Sequence, residues 1–395
     1  MKTMDIQIFL EIIFWICLIF ILHTYLFYHL LIRIFALNRN GNTKVYTVED
    51  DLPNVSILIA AHNEESVIRT KILSIINNSY PQTKLEVLVG SDCSTDKSNT
   101  IIEQLIKEYE CISIVKFEKR TGKIGVINSL IEKAKYELVL LTDANVMFDQ
   151  QTIFELVKHF KNEEIGLVDS NMINIGIKKD GISHQEKTYI SAEVASKNAE
   201  SLLWGTMMGP FGGCFALRKK LWEKIPSHFL VDDFFINMLV LKKGFKSINE
   251  PNAIVFEDVS NDLSDEFRRK IRISSGNFQN LFHYKHLLFD FSWIAFSFFS
   301  HKVLRWLTPF FILSIISILP FIIENHSFYF YFLMGIIFCF SLVTIDFLLK
   351  SLKVNIKLLR FLTHFTLMNV ALFIGFLNYI KGVKSSIWEP TRRNQ

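Results

Sequence analysis

Apolar residues follow two patterns along the chain. Toward both ends they run on in long stretches, and between those stretches they come in short bursts separated by amphipathic segments. The first long stretch extends from Ile6 to about Ile34, with Glu11, His23, His29 and Arg33 as its polar interruptions. It exceeds the ~20 residues that a bilayer core requires. It lacks the shorter apolar region and small-residue cleavage site of a secretory signal, so it predicts an uncleaved anchor over 1–36. Arg33, Arg39 and Lys44 follow it against Lys2 before it, and the positive-inside bias then predicts a cytoplasmic domain beyond a linker at 37–53.

Three further stretches lie within 303–380: Trp306–Ile323, Phe328–Leu349 and about Leu358–Ile380. Each is long enough to span. The loop Glu324–Ser327 carries no Lys or Arg and is expected outside, whereas Lys350, Lys353 and Lys357 predict an inside loop. Strict alternation would leave Lys381, Lys384, Arg392 and Arg393 outside, against the same bias. Either one stretch does not cross or a further segment does. Residues 286–302, with the aromatic run Phe289–Ser300, are expected to lie along the interface or to form part of a hairpin, and 381–395 form a tail.

Between the anchors, over 54–285, the pattern predicts an α/β domain. Val55–Ala61, Leu85–Val89, Ile112–Phe117 and Leu138–Leu141 read as strands. Glu64–Asn78, Asp96–Glu110 and Lys123–Lys135 read as the helices between them. The strands are rich in Val, Ile and Leu without alternation, as expected of a mostly parallel sheet covered on both faces. Ligands of such sheets bind at the carboxyl ends of the strands. Polar residues cluster there: His62-Asn63-Glu64, Ser91-Asp92 and Asp143-Ala144-Asn145. One acidic strand end is an ordinary helix cap; several converging on one edge point to a site.

Composition adds limits. The chain has 395 residues, 50% of them hydrophobic, which excludes disordered and collagen-like classes and leaves room for a large domain besides the membrane part. Its net charge is only +4, and no basic run stands out, so no nucleic-acid partner is expected; a mild positive excess suits an anionic membrane face. Five cysteines, an odd number with no CxxC, read as reduced thiols.

The order of motifs resembles family 2 glycosyltransferases of the GT-A fold. The resemblance starts at Val55–Glu65 and continues through Asp92-Cys93-Ser94-Thr95-Asp96, Thr121-Gly122-Lys123 with Asn128, and Asp143-Ala144-Asn145. It then takes in Gly212-Gly213, Asp232-Asp233 and Arg268–Gln279, so it covers Val55 to Gln279. Flanking membrane stretches make the chain similar to the branch with cellulose, hyaluronan and poly-N-acetylglucosamine synthases.

The resemblance implies a transfer of sugar from a nucleotide sugar, UDP-linked, to a lipid-linked or polysaccharide acceptor, for cell-surface polysaccharide synthesis. It implies donor contacts from Glu64, Asp92, Lys123, Asp143 and Arg269. Asp143 and Asn145 occupy the family's Asp-x-Asp, where a divalent cation, Mg²⁺ or Mn²⁺, bridges the diphosphate; Asn145 offers an amide oxygen in place of a carboxylate. Asp233 matches the family's general base, with Asp232 beside it, and adjacent carboxylates raise one another's pKa. Paired charges at a helix start are the alternative. Arg272, on the face it shares with Arg269, is expected at the diphosphate; headgroup contact is the alternative.

The processive synthases carry Gln-x-x-Arg-Trp, whose Trp stacks on the acceptor. Here the run is Arg269-Lys270-Ile271-Arg272-Ile273, which lacks the Gln and the Trp. The segment Trp388–Arg392 resembles their Trp-x-x-Thr-x-Arg tail. Trp204 and Trp222 are candidate sugar platforms or core residues. Three readings follow: a single-transfer membrane enzyme, a processive synthase that polymerises and secretes a glycan, and an inactive nucleotide-sugar-binding scaffold within an export complex. Export or polymerase partner proteins belong with these.

Overall fold

The computed structural model describes residues 2–175, 183–258, 263–352, 354 and 356–383. The tail motif Trp388–Arg392 lies outside them. The strand β1 (Val55–Ala61) is buried along its whole length. Val55, Ile57, Ile59 and Ala61 enter one hydrophobic core, and Leu58 and Ala60 enter another on the opposite face. Successive side chains of a strand point to opposite faces, so the unbroken apolar run is what a sheet packed on both sides requires.

Around β1 lie β2 (Leu85–Asp92), β3 (Ile112–Phe117) and β4 (Leu138–Asp143), all parallel. The remaining strands are β5 (Val146–Phe148), β6 (Ile165–Ile175), β7 (Cys214–Arg218) and β8 (Lys246–Asp258). The eight form one sheet in the order β3-β2-β1-β4-β7-β6-β8-β5. β7 is antiparallel to both β4 and β6, and β8 is parallel to β6. β4 and β8 therefore run the same way, and their carboxyl ends share one edge of the sheet with those of β1 and β2.

Among the described residues four helices are long and apolar enough to cross a membrane: Ile6–Ala36, Trp293–Ile322, Ser327–Lys350 and Lys357–Lys381. The segment expected at the interface divides. Lys285–Phe289 is a short 3₁₀ turn, and Trp293–Ser297 opens a helix that runs on through a π-helical stretch to Ile322. All five cysteines are free.

Two groups of contacts, among others, tie the membrane helices to the α/β domain. Helix Ser183–Leu203 brings Glu193 and Glu200 to buried positions. Glu200 accepts from Tyr28 Oη at 2.8 Å and meets His301 Nδ1 at 2.6 Å, while Arg305 Nη1 donates to Glu193 at 2.9 Å. Charges at this depth persist only when partnered. The second contact is closer: Ser275 Oγ donates to Gly375 O at 3.1 Å. A Cβ at Gly375 would lie 2.3 Å from Ser274 Cβ, so only glycine lets Lys357–Lys381 approach helix Leu263–Tyr284 this closely.

Candidate active site

Three separate stretches bring acids and bases to the sheet edge. The turn after β4 supplies Asp143 and Asn145. Lys71 braces that turn from helix Ile68–Ile76: its fully buried ammonium donates to Thr142 Oγ1 at 2.8 Å and to Val146 O, on either side of the turn. Burial pushes the Lys71 ammonium down to about 7.

Helix Asp232–Lys242 supplies Asp232 and Asp233 at its first turn. The approach to it is held by helix Leu263–Tyr284. Gln279 receives Leu230 N–H at 3.0 Å and donates to His228 O at 2.8 Å, and Asn280 donates to Val231 O at 3.0 Å. Asp233 Oδ1 accepts from Phe234 N–H at 2.6 Å. Burial and then the neighbouring Asp232 push the Asp233 carboxyl up to about 7, against the pull of Lys123 and of the Phe234 N–H. Such a carboxyl can take a proton near neutral pH.

Lys123 links the two acid groups, with Nζ 2.8 Å from Asp143 Oδ1 and 3.9 Å from Asp232 Oδ2. Burial works against its charge, but Asp143, Asp232 and Asp233 outweigh that and hold its pKa above an ordinary lysine's. Arg272 is exposed and makes no hydrogen bond or ion pair among the described residues. It stands in the field of Asp232, Asp143 and Asp233, while desolvation and Arg269 lower its pKa. Arg269 is paired within its own helix, donating from Nε to Glu266 at 3.0 Å, and Lys270 meets the same carboxylate at 3.3 Å. Glu266 thus offsets the excess positive charge at this helix start.

Asp92 and Glu64 sit differently from the others. Asp92 is fully buried and accepts from Thr121 N–H at 2.7 Å, Thr121 Oγ1 at 3.0 Å, Gly122 N–H at 3.0 Å and Arg120 Nε at 3.1 Å. Its carboxylate caps the helix that presents Lys123. A direct nucleotide contact would require one of these donors, such as Arg120, to give way. Glu64 is also buried, with its N–H donating to Ser98 Oγ at 2.8 Å. Asn128 exchanges two hydrogen bonds with the Ile225 backbone, at 2.9 and 3.1 Å, and serves packing. Trp204 stacks on Trp293, centroids 4.6 Å apart, and Trp222 packs against the core, so neither faces the site as a sugar platform.

Sequence reasoning missed Glu257. It is the penultimate residue of β8, opposite Val146, and Asn145 Nδ2 donates to its Oε1 at 3.2 Å. Burial raises its proton affinity, Arg269 opposes that, and Asp143 adds to it. The strand-end rule that selects Asp143 applies equally here, but Lys246–Asp258 is too polar, and interrupted by Pro251, to read as a strand.

Among the described residues no three His, Cys, Asp or Glu side chains form a cage for a metal. The turn instead offers the Asp143 carboxylate, shared with Lys123, and the Asn145 amide, with the Glu257 carboxylate beside it. An incomplete set of oxygen donors fits a hard cation that takes its other ligands from a diphosphate and water.

A cavity of about 520 Å³ opens beside these groups. Asp233, Glu257 and Arg269 line it together with Phe361, Phe365 and Leu372 of the last membrane helix.

A sheet of this order, with acids at the carboxyl ends of β4 and β8 and the Asp232–Asp233 pair beside them, defines a GT-A architecture. Residues 56–225 match the family Glycosyl transferase family 2. "Probable glycosyltransferase YdaM" of Bacillus subtilis (strain 168) is 25% identical over 244 residues, 58% of this chain and 56% of that protein. "Beta-monoglucosyldiacylglycerol synthase" of Nostoc sp. (strain PCC 7120) is 28% identical over 51% of this chain and 42% of that protein. "Poly-beta-1,6-N-acetyl-D-glucosamine synthase" of Staphylococcus aureus (strain COL) is 24% identical over 62% and 59%. The chain spans about half the length of the curated relatives it matches. A solved mannosyltransferase, PcManGT from Pyrobaculum calidifontis with GDP-Man and Mn²⁺, shares the fold at a TM-score of 0.69 and 17% identity, covering 93% of this chain and 99% of that one.

Proposed function

We propose that the protein is an inverting, metal-assisted membrane glycosyltransferase that moves a sugar from a nucleotide sugar, UDP-linked, to a hydroxyl on a lipid-borne acceptor at the cytoplasmic face. The observation that carries the lipid acceptor is the cavity. One space of about 520 Å³ is lined both by Asp233 and by the membrane-helix side chains Phe361, Phe365 and Leu372. An acceptor with an apolar body and a polar end fits such a lining.

In this mechanism Asp233 takes the acceptor proton on Oδ2, since Oδ1 is held by Phe234 N–H. The freed oxygen forms its bond to the anomeric carbon from the side opposite the leaving group. The bond from that carbon to the diphosphate oxygen breaks, and its electron pair leaves with the diphosphate. Arg272, exposed and unpaired among the described residues, is placed to meet that charge. Lys123 keeps Asp143 and Asp232 in register. A divalent cation bound by Asp143 and Asn145 would neutralise the leaving diphosphate. Glu64 and Asp92 shape the donor side.

Ile273 lines the same cavity at the position where the processive synthases carry their Trp, so that position offers no aromatic ring to a growing glycan. The single-transfer reading therefore stands ahead of the processive one, and turnover by the purified protein would remove the scaffold reading.

The test is nucleotide release by the purified full chain with a panel of nucleotide sugars, with and without membrane lipid extract. Lipid-dependent release, with labelled sugar moving into the organic phase, is expected. Equal transfer to soluble glycans, or no turnover with any donor, refutes the proposal. Asp233→Asn should abolish turnover and leave donor binding nearly intact.

A further inference from the structure

The second position of the Asp-x-Asp pattern is the amide of Asn145, so the turn by itself provides one negative charge for a dication. Antiparallel pairing of β5 with β8 sets Val146 opposite Glu257. That register brings the Glu257 carboxylate to 3.2 Å from Asn145 Nδ2, at the same sheet edge as Asp143. Glu257 also faces the cavity that Asp233 lines. Lys123 Nζ meets Asp143 Oδ1 at 2.8 Å at that edge. Two carboxylates and an amide brought to one sheet edge from separate strands offer the oxygen donors that a hard divalent cation selects.

We propose that Glu257 supplies the second carboxylate for the donor's divalent cation, standing in from β8 for the acid that Asn145 lacks. This inference rests on the metal-assisted reading above. A carboxylate delivered by a neighbouring strand can serve as well as one in the turn, because a hard cation selects oxygen ligands by charge and distance, not by chain order. Asn145 then acts through both ends of its amide, its oxygen as a ligand and its N–H orienting the Glu257 carboxylate.

The experiment titrates Mn²⁺ into the full chain in detergent with UDP present and follows free aqua-Mn²⁺ by electron paramagnetic resonance. Compared are the wild type, Glu257→Gln, Asn145→Asp and the double variant. Glu257→Gln should weaken Mn²⁺ binding by about 10-fold or more, since even outer-shell changes cost ~10–100-fold. Adding Asn145→Asp should recover most of that loss, which a merely misfolded protein would not do. Wild type that binds Mn²⁺ while Glu257→Gln binds equally well overturns this inference and leaves the metal-assisted reading standing. So does a loss that Asn145→Asp fails to recover. A wild type that binds no Mn²⁺ overturns both.

Discussion

The conformation of one glycine gives a direct test of Asp233. Gly212 has φ +74°, and a Cβ built on it would lie 2.3 Å from Asp233 Oδ2 and 3.1 Å from its Cγ. Carbon and oxygen at ordinary contact stand roughly 3.4 Å apart, so Gly212→Ala requires the carboxylate to retreat by about 1 Å. A misplacement of that size at a reacting group costs on the order of 100-fold in rate, or roughly 2.7 kcal/mol in the barrier. The left-handed backbone adds about 1–2 kcal/mol of strain for a non-glycine residue. Gly244 separates the two effects: its φ is +81° and a Cβ there meets nothing within 4 Å. Gly212→Ala should therefore lose about 100-fold in kcat with donor affinity little changed, while Gly244→Ala keeps its kcat and loses only stability. Nucleotide release, donor binding by calorimetry and thermal unfolding read these three quantities. A folded Gly212→Ala protein with kcat within about threefold of wild type would refute the assignment of Asp233 Oδ2 as the proton acceptor.

Four further outcomes can be measured. The Asp233 carboxyl, pushed up to about 7, must be ionised to act, so kcat/KM of the free enzyme should rise with pH through a limb near 7. Lys123→Met, which removes a cation that lowers that value, should move the limb upward; an unmoved limb in a pH–rate profile would exclude Asp233 as its source. The same raised carboxyl makes the folded state hold a proton that the unfolded state releases near ~4, so stability should fall as pH rises from there toward 7, and less steeply in Asp233→Asn. Lys197 and Asp169 form a fully buried ion pair, with the ammonium 3.5 Å over the Phe211 ring. Lys197→Met leaves Asp169 uncompensated and should cost about 3–5 kcal/mol, read as a drop of several degrees in unfolding temperature. Finally, Met368 lines the membrane end of the cavity; Met368→Trp should raise KM for a lipid acceptor and leave the donor KM unchanged in the release assay.

The parallel half of the sheet was legible because both faces of each strand are buried, which leaves a run of branched apolar residues. Val55–Ala61 and Ile112–Phe117 have the bounds that the pattern predicts, and β2 and β4 extend only to include Asp92 and Asp143. The carboxyl ends where these strands stop were legible for the same reason. Long apolar stretches likewise forecast four helices, although the second begins at Trp293 and not at Trp306. What the chain's linear order conceals is partnership across strands. Asn145 and Glu257 are 112 residues apart and meet only because β5 pairs with β8. Asp92 is acidic and lies at a strand end, as expected of a ligand contact, yet only folding brings Thr121, Gly122 and Arg120 to its oxygens. The pattern of apolar residues, then, determined where strands and spans lie, since burial is a property of each segment by itself. Which charges meet, which are already satisfied, and that a cavity joins Asp233 to the last membrane helix were decided by the tertiary structure, since distance between segments is not encoded in any one of them.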